Sequence, residues 1–351
     1  MSKTGYLGRG GVEMEYVILG AGAAGITAAK TIRKADREGK ITVISTDTQV
    51  HSRCMLHKYL SHERDAAGIS FIDPDFFEKN QITWLPGKTV SRLDTQGKKV
   101  YTDQGDEMSY DRLLIATGAE SFIPPVGNLR EAENVFGLRH LRDAQAIDEL
   151  AKDAENIVII GSGLVGLDAA YGLMETGKKV SIVEMADQIL PVQLDKTAAF
   201  EYQKRFEKAG AVFYLGRKAA DTVMGEDKII REIILDNGEK LPCDLIIVAA
   251  GVRSAVAGME GEGIVIDRGI KVDDYLQTGA EGVYAAGDVT GLSGIWPNAQ
   301  KQGETAALNM CGSHVEYTDR YAIKNTINFF GMVSMCVGVI LPQEGDVVIA
   351  R

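Results

Sequence analysis

Two glycine-rich turns are the groups in this sequence whose residue types and spacing point most directly to chemistry. Residues 20–25 read Gly-Ala-Gly-Ala-Ala-Gly, and residues 161–166 read Gly-Ser-Gly-Leu-Val-Gly. In this spacing the first glycine permits a tight turn, the second lets the backbone approach a pyrophosphate, and the third lets the following helix lie close to the sheet. The pattern predicts two dinucleotide-binding sites. Their glycines are Gly20, Gly22 and Gly25 in the first turn and Gly161, Gly163 and Gly166 in the second.

An acidic residue follows each turn at the end of a second apolar strand. Residues 41–45 lead to Asp47, and residues 180–183 lead to Glu184. A carboxylate at this point accepts hydrogen bonds from the ribose hydroxyls of a dinucleotide. Sites for NADP instead provide an arginine or a lysine nearby, which binds the additional phosphate. Because Glu184 is followed by Met-Ala-Asp-Gln, without a cation, the second site is predicted to prefer NADH.

The elements that must position these groups are also duplicated. An apolar strand enters each turn, at residues 16–20 and 157–160, and a second apolar strand closes each copy, at residues 110–118 and 243–251. Self-similarity at this scale indicates two nucleotide-binding domains of one design, and two unrelated crossovers are the less favoured reading. The candidate cofactor contacts at the ends of the closing strands are Ala116, Thr117, Gly118 and Gly251.

A third candidate contact lies in residues 282–288, Gly-Val-Tyr-Ala-Ala-Gly-Asp. This segment reads as a strand that delivers an aspartate to a loop. The strand therefore brings Gly287 and Asp288 to the start of that loop.

Composition excludes several other classes of function. The chain has 351 residues, enough for two or three domains, and its formal net charge of -11 argues against nucleic acid or an anionic membrane as the main partner. Its four cysteines include no C-x-x-C pair, and its five histidines show no metal-ligand spacing, so no metal is predicted. No apolar run reaches the roughly 18 residues of a membrane span. Residues 1–13 are expected to be a flexible leader, and the cytoplasm is the expected compartment.

Taken in order, these motifs resemble the pyridine nucleotide-disulfide oxidoreductases. The branch includes NADH:rubredoxin reductases, ferredoxin reductases, NADH oxidases and the flavin portion of nitrite reductases. The resemblance implies an α/β fold with two Rossmann-like domains. The FAD domain would comprise residues 14–119 and 251–315, with an NAD domain of residues 120–250 inserted. Residues 316–351 resemble the incomplete beginning of a C-terminal interface domain, which leaves monomer and homodimer both open.

The resemblance also assigns roles in cofactor binding. Asp288 would hydrogen-bond the ribityl chain of FAD, and the helix beginning near Trp296 would direct its positive end at the flavin. In residues 51–59, Arg53 would pair with FAD phosphate or ribose oxygens, where its fork of donors suits an anion. Lys58 would lie beside the flavin and pair with an acid from the NAD domain.

The same loop fits a second pattern, which leads to a different enzyme. In NADH oxidases and coenzyme A-disulfide reductases it holds one redox cysteine near the flavin, followed by a leucine two residues later, and Cys54 and Leu56 fit that spacing. A thiolate there could cycle through a sulfenic acid or a mixed disulfide. The alternative, given more weight, is that Cys54 is a small buried residue without redox function.

Asp168 stands two residues after the last glycine of the second turn, where relatives carry a glutamate that reaches toward flavin and lysine. Aspartate is one methylene shorter, so a bridging water is an alternative to direct contact. A solvated acid in the first turn of a helix is an equally weighted interpretation.

Together these features predict a FAD flavoenzyme that accepts a hydride from NADH at flavin N5. Electrons would pass to rubredoxin, ferredoxin or an iron–sulfur partner subunit. Two alternatives remain open: a thiol-based NADH oxidase or disulfide reductase that uses Cys54, and a flavin-binding interaction subunit whose redox state controls assembly.

Overall fold

The computed structural model describes residues 13–319 and 324–338 together with residues 345 and 347. Within these residues the chain forms two compact units. The first comprises residues 13–48, 72–118 and 254–319, and the second comprises residues 49–71, 119–253 and 324–338. Residues 1–12 of the predicted leader lie outside the described residues.

The helices and strands follow one another in an alternating α/β order. In chain order they are β1 (Glu15–Leu19), α1 (Ala23–Ala35), β2 (Lys40–Ser45), α2 (Leu56–Leu60), α3 (Phe76–Lys79), β3 (Ile82–Pro86), β4 (Val90–Asp94), β5 (Lys99–Thr102), β6 (Glu107–Ser109), β7 (Arg112–Ile115), β8 (Ala119–Ser121), β9 (Val135–Phe136), α4 (Leu141–Ala151), β10 (Ile157–Ile160), α5 (Leu164–Glu175), β11 (Val180–Glu184), α6 (Lys196–Lys208), β12 (Val212–Leu215), β13 (Ala219–Met224), β14 (Ile230–Leu235), β15 (Lys240–Pro242), β16 (Leu245–Val248), β17 (Val252–Ser254), β18 (Val283–Ala285), α7 (Trp296–Met310), β19 (Lys324–Phe329) and β20 (Met332–Val337). Two 3-10 turns, Arg53–Met55 and Asp288–Thr290, complete the elements near the predicted sites.

Each unit contains a parallel sheet built around the strand that enters its glycine turn. The strand order is β18-β7-β1-β2-β3 in the first unit and β12-β11-β10-β16-β9 in the second. β1 pairs in parallel with β2 and β7, and β10 pairs in the same way with β11 and β16. An antiparallel meander, β4-β5-β6 or β13-β14-β15, occupies the same place in each copy. The duplication seen in the sequence therefore extends to the meanders, and the predicted fold class is confirmed.

The central strands β1 and β10 are almost entirely apolar because both faces of each parallel sheet are covered, and the antiparallel meander packs on one of those faces. Residues 16–19 of β1 and 157–159 of β10 are at most 3% exposed. In the first unit Val17 and Leu19 join a core with β7 and β18, and in the second Ile157 and Ile159 join one with α4, α5 and α6. The carboxyl ends of β1 and β10 thus have fixed positions, from which the glycine turns begin.

The segment 49–71 belongs to the second unit, whereas the sequence predicted it within a domain of residues 14–119. The physical reason is packing. Leu56 and Leu60 of α2 are at most 1% exposed and lie in the second unit's core, against α4 and α5. The assignment of one unit to FAD and the other to NAD stays a prediction.

A two-stranded antiparallel hairpin, β19 and β20, belongs to the second unit and packs against its core. Ile327 and Phe329 face its core, and the Tyr202 hydroxyl donates a hydrogen bond to the Ile327 carbonyl at 3.2 Å. β19 and β20 are thus the described strands of residues 316–351, the segment that resembles the beginning of an interface domain. Residues 320–323, 339–344, 346 and 348–351 of that segment lie outside the described residues. In the part of the chain that the structure describes, no helix has both the length and the apolar composition needed to cross a bilayer.

Candidate functional site

The first glycine turn lies against the end of β7, and its outer glycines are required by backbone contacts. Gly20 has φ of +110°, and a Cβ there would be 2.2 Å from the Ala116 carbonyl oxygen. A Cβ at Gly25 would be 1.9 Å from the Gly20 carbonyl oxygen. Both distances are far below contact distance, so only glycine lets the turn, the helix and the neighbouring strand approach this closely.

The second turn repeats this geometry in the other unit. Gly161 has φ of +105°, and its Cβ would be 2.5 Å from the Ala249 carbonyl oxygen at the end of β16. A Cβ at Gly166 would lie 2.0 Å from the Gly161 carbonyl oxygen. Sequence spacing and tertiary contact therefore agree at both turns.

The middle glycine of each turn has a different environment, which suits a phosphate-bearing ligand. A Cβ at Gly22 or Gly163 would meet no atom within 4 Å, so the backbone there faces open space. Neither α1 nor α5 has a side-chain N-cap, whereas α6 is capped by Asp195, which accepts from the Ala198 backbone N–H at 2.8 Å. Helix N-termini without side-chain caps attract anions. The residues present thus fit a dinucleotide pyrophosphate in each unit.

Glu184 ends β11, and its carboxylate is tied to the second glycine turn. One oxygen, Oε2, accepts from the backbone nitrogen of Ser162 at 2.8 Å and from its hydroxyl at 2.9 Å. The other, Oε1, accepts from the Ala186 backbone nitrogen at 2.8 Å. A carboxylate has about four acceptor positions, so these three bonds leave capacity for a ribose hydroxyl. That ribose contact stays a prediction.

Strand pairing places the backbone of a basic residue, Arg217, next to the backbone of Glu184. β11 pairs with β12, and the Arg217 backbone nitrogen, just beyond β12, donates to the Glu184 carbonyl at 3.0 Å. The Arg217 side chain is exposed, and its guanidinium lies near the carbonyl of Gly216. Strand pairing connects these two residues, so the residues that directly follow Glu184 in the sequence give no sign of Arg217.

The other predicted contacts of the first unit lie at strand ends and in the loops after them. Asp47 lies two residues beyond β2, and its backbone nitrogen donates to the Ser45 hydroxyl at 3.1 Å. Thr117, which precedes Gly118, donates from its hydroxyl to the Ala255 carbonyl at 2.7 Å. In the second unit, Gly251 is exposed just beyond β16. Their cofactor contacts stay predictions.

The strand β18 ends at Ala285, two residues before Gly287, and so leads to the Asp288 loop as the sequence predicted. The Gly287 nitrogen donates to the Gln302 side-chain oxygen at 2.7 Å, which links this loop to α7. α7 packs so closely on α1 that a Cβ at Gly303 would lie 2.2 Å from the Ala24 carbonyl oxygen. The first unit thus holds the starts of α1 and α7 and the Asp288 loop in fixed relation.

Arg53, Cys54 and Lys58, which the sequence predicts to act near the flavin, lie together in residues 49–71 of the second unit. Cys54 is exposed, which differs from the small buried residue given more weight in the sequence analysis. Lys58 forms an ion pair with Glu63, an exposed acid beyond α2, whereas an acid of the NAD domain was the expected partner. Arg53 donates to the Arg139 carbonyl at 2.6 Å.

Asp168, on α5, faces His57 on α2. The His57 Nδ1 lies 3.8 Å from an oxygen of Asp168, and a Cβ at Gly172 would be 2.7 Å from the His57 carbonyl oxygen, so the two helices are in close contact. Burial raises the pKa of Asp168 to about 7, although the Lys58 cation opposes that shift. Burial, together with Lys58, lowers the pKa of His57 to about 4. Near neutral pH, therefore, His57 is uncharged and Asp168 is poised to gain or lose a proton.

Sequence reasoning missed the pairing of histidines with carboxylates. Besides the contact of His57 with Asp168, His62 lies 2.7 Å from Asp148, and Nε2 of His140 lies 3.0 Å from Glu120. The partners are far apart along the chain, so no local spacing could reveal them. Among the described residues, no group of three or more histidine, cysteine or acidic side chains is arranged to hold a metal ion.

Comparison with known proteins agrees with this geometry. A family model described as pyridine nucleotide-disulphide oxidoreductase matches residues 14–303. The chain is 32% identical to the epsilon subunit of the NADH-dependent phenylglyoxylate dehydrogenase of Aromatoleum evansii, over 96% of this chain and 82% of the relative. It is 31% identical to the assimilatory nitrate reductase electron transfer subunit of Bacillus subtilis, over 95% of this chain but only 44% of that longer protein.

A solved structure shows the same similarity in three dimensions. The covalent complex of putidaredoxin reductase with putidaredoxin aligns with a TM-score of 0.82 and 26% identity, covering 94% of this chain and 82% of that chain. The similarity therefore extends over both units of the fold.

Proposed function

Because this chain belongs to the pyridine nucleotide-disulphide oxidoreductase family, we propose that it is an NADH-dependent FAD flavoprotein that passes electrons to a separate carrier. The carrier is a rubredoxin, a ferredoxin or an iron–sulfur partner subunit. The observation that carries this proposal is the duplicated glycine turn, with open space over its middle glycine and a helix N-terminus that has no side-chain cap.

When bound, FAD would supply a centre, N5, that takes a hydride from NADH, and it would make the electrons available to the carrier. The chain's own residues bind and orient these groups. Backbone N–H groups at the start of α1 hold one pyrophosphate, and those at the start of α5 hold the other. Asp288 would bind the ribityl chain of FAD, and Glu184 would accept a hydrogen bond from a ribose hydroxyl of NADH.

The second unit also holds a proton near neutral pH. Partial burial raises the pKa of Asp168 to about 7 and, together with the charge of Lys58, lowers the pKa of its neighbour His57 to about 4, so His57 does not compete for the proton. We assign Asp168 the role of holding or releasing a proton as charge accumulates during reduction. Lys58, on the same segment as His57, opposes protonation of both groups through its positive charge.

The choice of a protein carrier as acceptor draws on the relatives. One is a subunit of a dehydrogenase, another an electron transfer subunit, and a solved neighbour is a reductase bound to putidaredoxin. The net charge of this chain is -11, so docking of an acidic carrier requires a local basic surface and should weaken as salt concentration rises.

The test is an anaerobic titration of the FAD-loaded protein with NADH, followed by its visible spectrum. We expect about one equivalent of NADH to bleach the flavin, because a two-electron donor fully reduces one flavin. Addition of oxidised rubredoxin or ferredoxin should then restore the flavin spectrum in repeated cycles. A titration with dithionite gives the matched count of electron acceptors in the same sample.

Two outcomes would contradict the proposal. A flavin that NADH cannot reduce would exclude the reductase function. Slow reduction without turnover on any carrier, accompanied by a change in mass on reduction, would instead favour a redox-dependent interaction subunit.

A thiol-based NADH oxidase or disulfide reductase is the second candidate, favoured by the exposure of Cys54. In that case the titration should consume about two equivalents of NADH, because a disulfide or sulfenic acid at Cys54 takes up two further electrons. Substitution Cys54→Ser should return the count to about one. An unchanged count would remove Cys54 from the chemistry.

A further inference from the structure

Three segments of the second unit meet around one buried imidazole, that of His140, which is 3% exposed. Its Nε2 lies 3.0 and 3.2 Å from the two carboxylate oxygens of Glu120 on β8. Its Nδ1 lies 3.4 Å from a terminal nitrogen of Arg53. His140 immediately precedes α4, so the ring joins the loop that carries Arg53, the strand β8 and the start of α4.

The donor and acceptor capacities of these groups determine how the ring is protonated. A guanidinium can only donate, so the Nδ1 of His140 is the acceptor toward Arg53. In the neutral ring the hydrogen then lies on Nε2, which donates to Glu120. Burial raises the pKa of Glu120, but the hydrogen bond from His140 and the nearby cations outweigh it and hold that pKa below its ordinary value. An ionised carboxylate is thus linked to a guanidinium through one imidazole.

Further contacts restrict the same three segments. The nitrogen of Arg53 that faces the ring also donates to the Arg139 carbonyl at 2.6 Å, and the Arg139 side chain donates to the Ala119 carbonyl at 3.0 Å. An oxygen of Asp143 accepts from the backbone nitrogens of Arg139 and His140 at 2.9 and 2.8 Å. The ring at the centre of these contacts is buried, whereas the Glu120 side chain is half exposed. Several hydrogen bonds that converge on one buried ring favour a single conformation of the segments that make them.

We propose that Glu120 and His140 are positioning residues that hold the segment carrying Arg53, Cys54 and Lys58 in one conformation. The effect on catalysis rests on the proposed function, in which that segment contributes to the reaction. The effect on the order of the segment does not depend on it. These two effects can be measured separately.

The order of the segment is measured by hydrogen–deuterium exchange of the FAD-loaded protein, resolved by mass spectrometry. In His140→Ala we expect the amides of residues 52–60 to exchange about tenfold faster, because loss of charge-assisted hydrogen bonds makes local opening easier. Glu120→Gln removes the charge but keeps an acceptor, so it should give a smaller increase. Exchange in β10, the central strand, should not change.

A rescue variant and a matched control identify the cause. His140→Asn places an amide oxygen near the position of Nδ1, so it should recover part of the protection through Arg53 but none through Glu120. The control is Asp148→Asn, because Asp148 pairs with His62 and links the same loop to α4 without contact to Arg53. It should leave the exchange of residues 52–56 as in the wild type.

The effect on catalysis is measured in the same variants. Residues 52–60 are predicted to act in chemistry and the second glycine turn in NADH binding. In His140→Ala, kcat with a carrier should therefore fall about tenfold while KM for NADH changes less than about twofold. Unchanged exchange in a folded His140→Ala protein would overturn the proposal. Faster exchange with unchanged kcat would overturn the catalytic part alone, and a wild type that NADH cannot reduce would contradict the proposed function and leave the exchange result standing.

Discussion

Glu184 accepts two hydrogen bonds from Ser162 through a single carboxylate oxygen, one from the backbone nitrogen and one from the hydroxyl. Ser162 is the second residue of the glycine turn, and Glu184 ends the next strand of the sheet. The carboxylate therefore braces the turn in addition to its predicted contact with ribose. Turn geometry and nucleotide recognition are coupled through this one residue.

This coupling predicts a graded effect on nucleotide binding. Glu184→Ala removes the brace and the predicted ribose contact, so the Kd for NAD should rise about 10- to 30-fold; Ser162→Ala removes only the hydroxyl bond, and about threefold is expected. Isothermal titration calorimetry with NAD measures both. Equal affinity in both variants and the wild type would show that neither group contributes to the site.

The same site predicts how the protein distinguishes NADH from NADPH. The wild type should prefer NADH in kcat/KM, because Glu184 repels a 2′-phosphate. Glu184→Ala should raise the use of NADPH about tenfold, since the exposed Arg217, whose backbone nitrogen bonds the carbonyl of residue 184, then offers a cation to the 2′-phosphate. Addition of Arg217→Ala to that variant should abolish the gain. A gain that survives the second substitution would exclude Arg217 as its source.

The first and second glycines of the second turn should respond differently to the same added methyl group. Gly163→Ala adds a Cβ that meets nothing within 4 Å, so the protein should fold with near wild-type Tm but bind NAD about tenfold more weakly. Gly161→Ala, at φ of +105° and 2.5 Å from the Ala249 carbonyl oxygen, should destabilise the second unit by several kcal/mol. Thermal unfolding and calorimetry separate the two effects. A Gly163→Ala protein with wild-type affinity would contradict the predicted approach of pyrophosphate.

The burial of Asp168 predicts a pH-dependent gain of stability in Asp168→Asn. The folded-state pKa of about 7 lies above the ordinary value of 3.8, so the wild type loses stability as pH rises toward and through 7. The amide does not titrate. Relative to wild type, the variant should therefore be about 2 kcal/mol more stable at pH 8 than at pH 5.

Thermal unfolding of both proteins at the two pH values checks this. His57, with its lowered pKa of about 4, contributes in the opposite direction as pH rises from about 4 to 6.5. That contribution is present in both proteins and largely cancels in the difference. A difference in Tm that does not vary with pH would show that Asp168 is solvated and titrates at its ordinary pKa.

Local sequence was sufficient for the repeated framework. A glycine-rich turn that follows an apolar strand is compatible with few folds other than a dinucleotide-binding one. Only glycine tolerates the carbonyl contacts found at Gly20 and Gly161. The predicted family, fold class and oxidoreductase class are accordingly confirmed. The continuous apolar runs of β1 and β10 also predicted strands of a parallel sheet, because strands buried on both faces need apolar residues at successive positions.

Only the tertiary structure decided which side chains meet. It assigned residues 49–71 to the second unit, paired Lys58 with Glu63, placed Asp168 against His57, and joined Arg53 to Glu120 through His140. These contacts arise where helices and strands distant in sequence pack together, so no spacing along the chain encodes them. The pKa of Asp168 likewise could not be predicted from the sequence. Burial raises it, and burial is a property of the packed molecule.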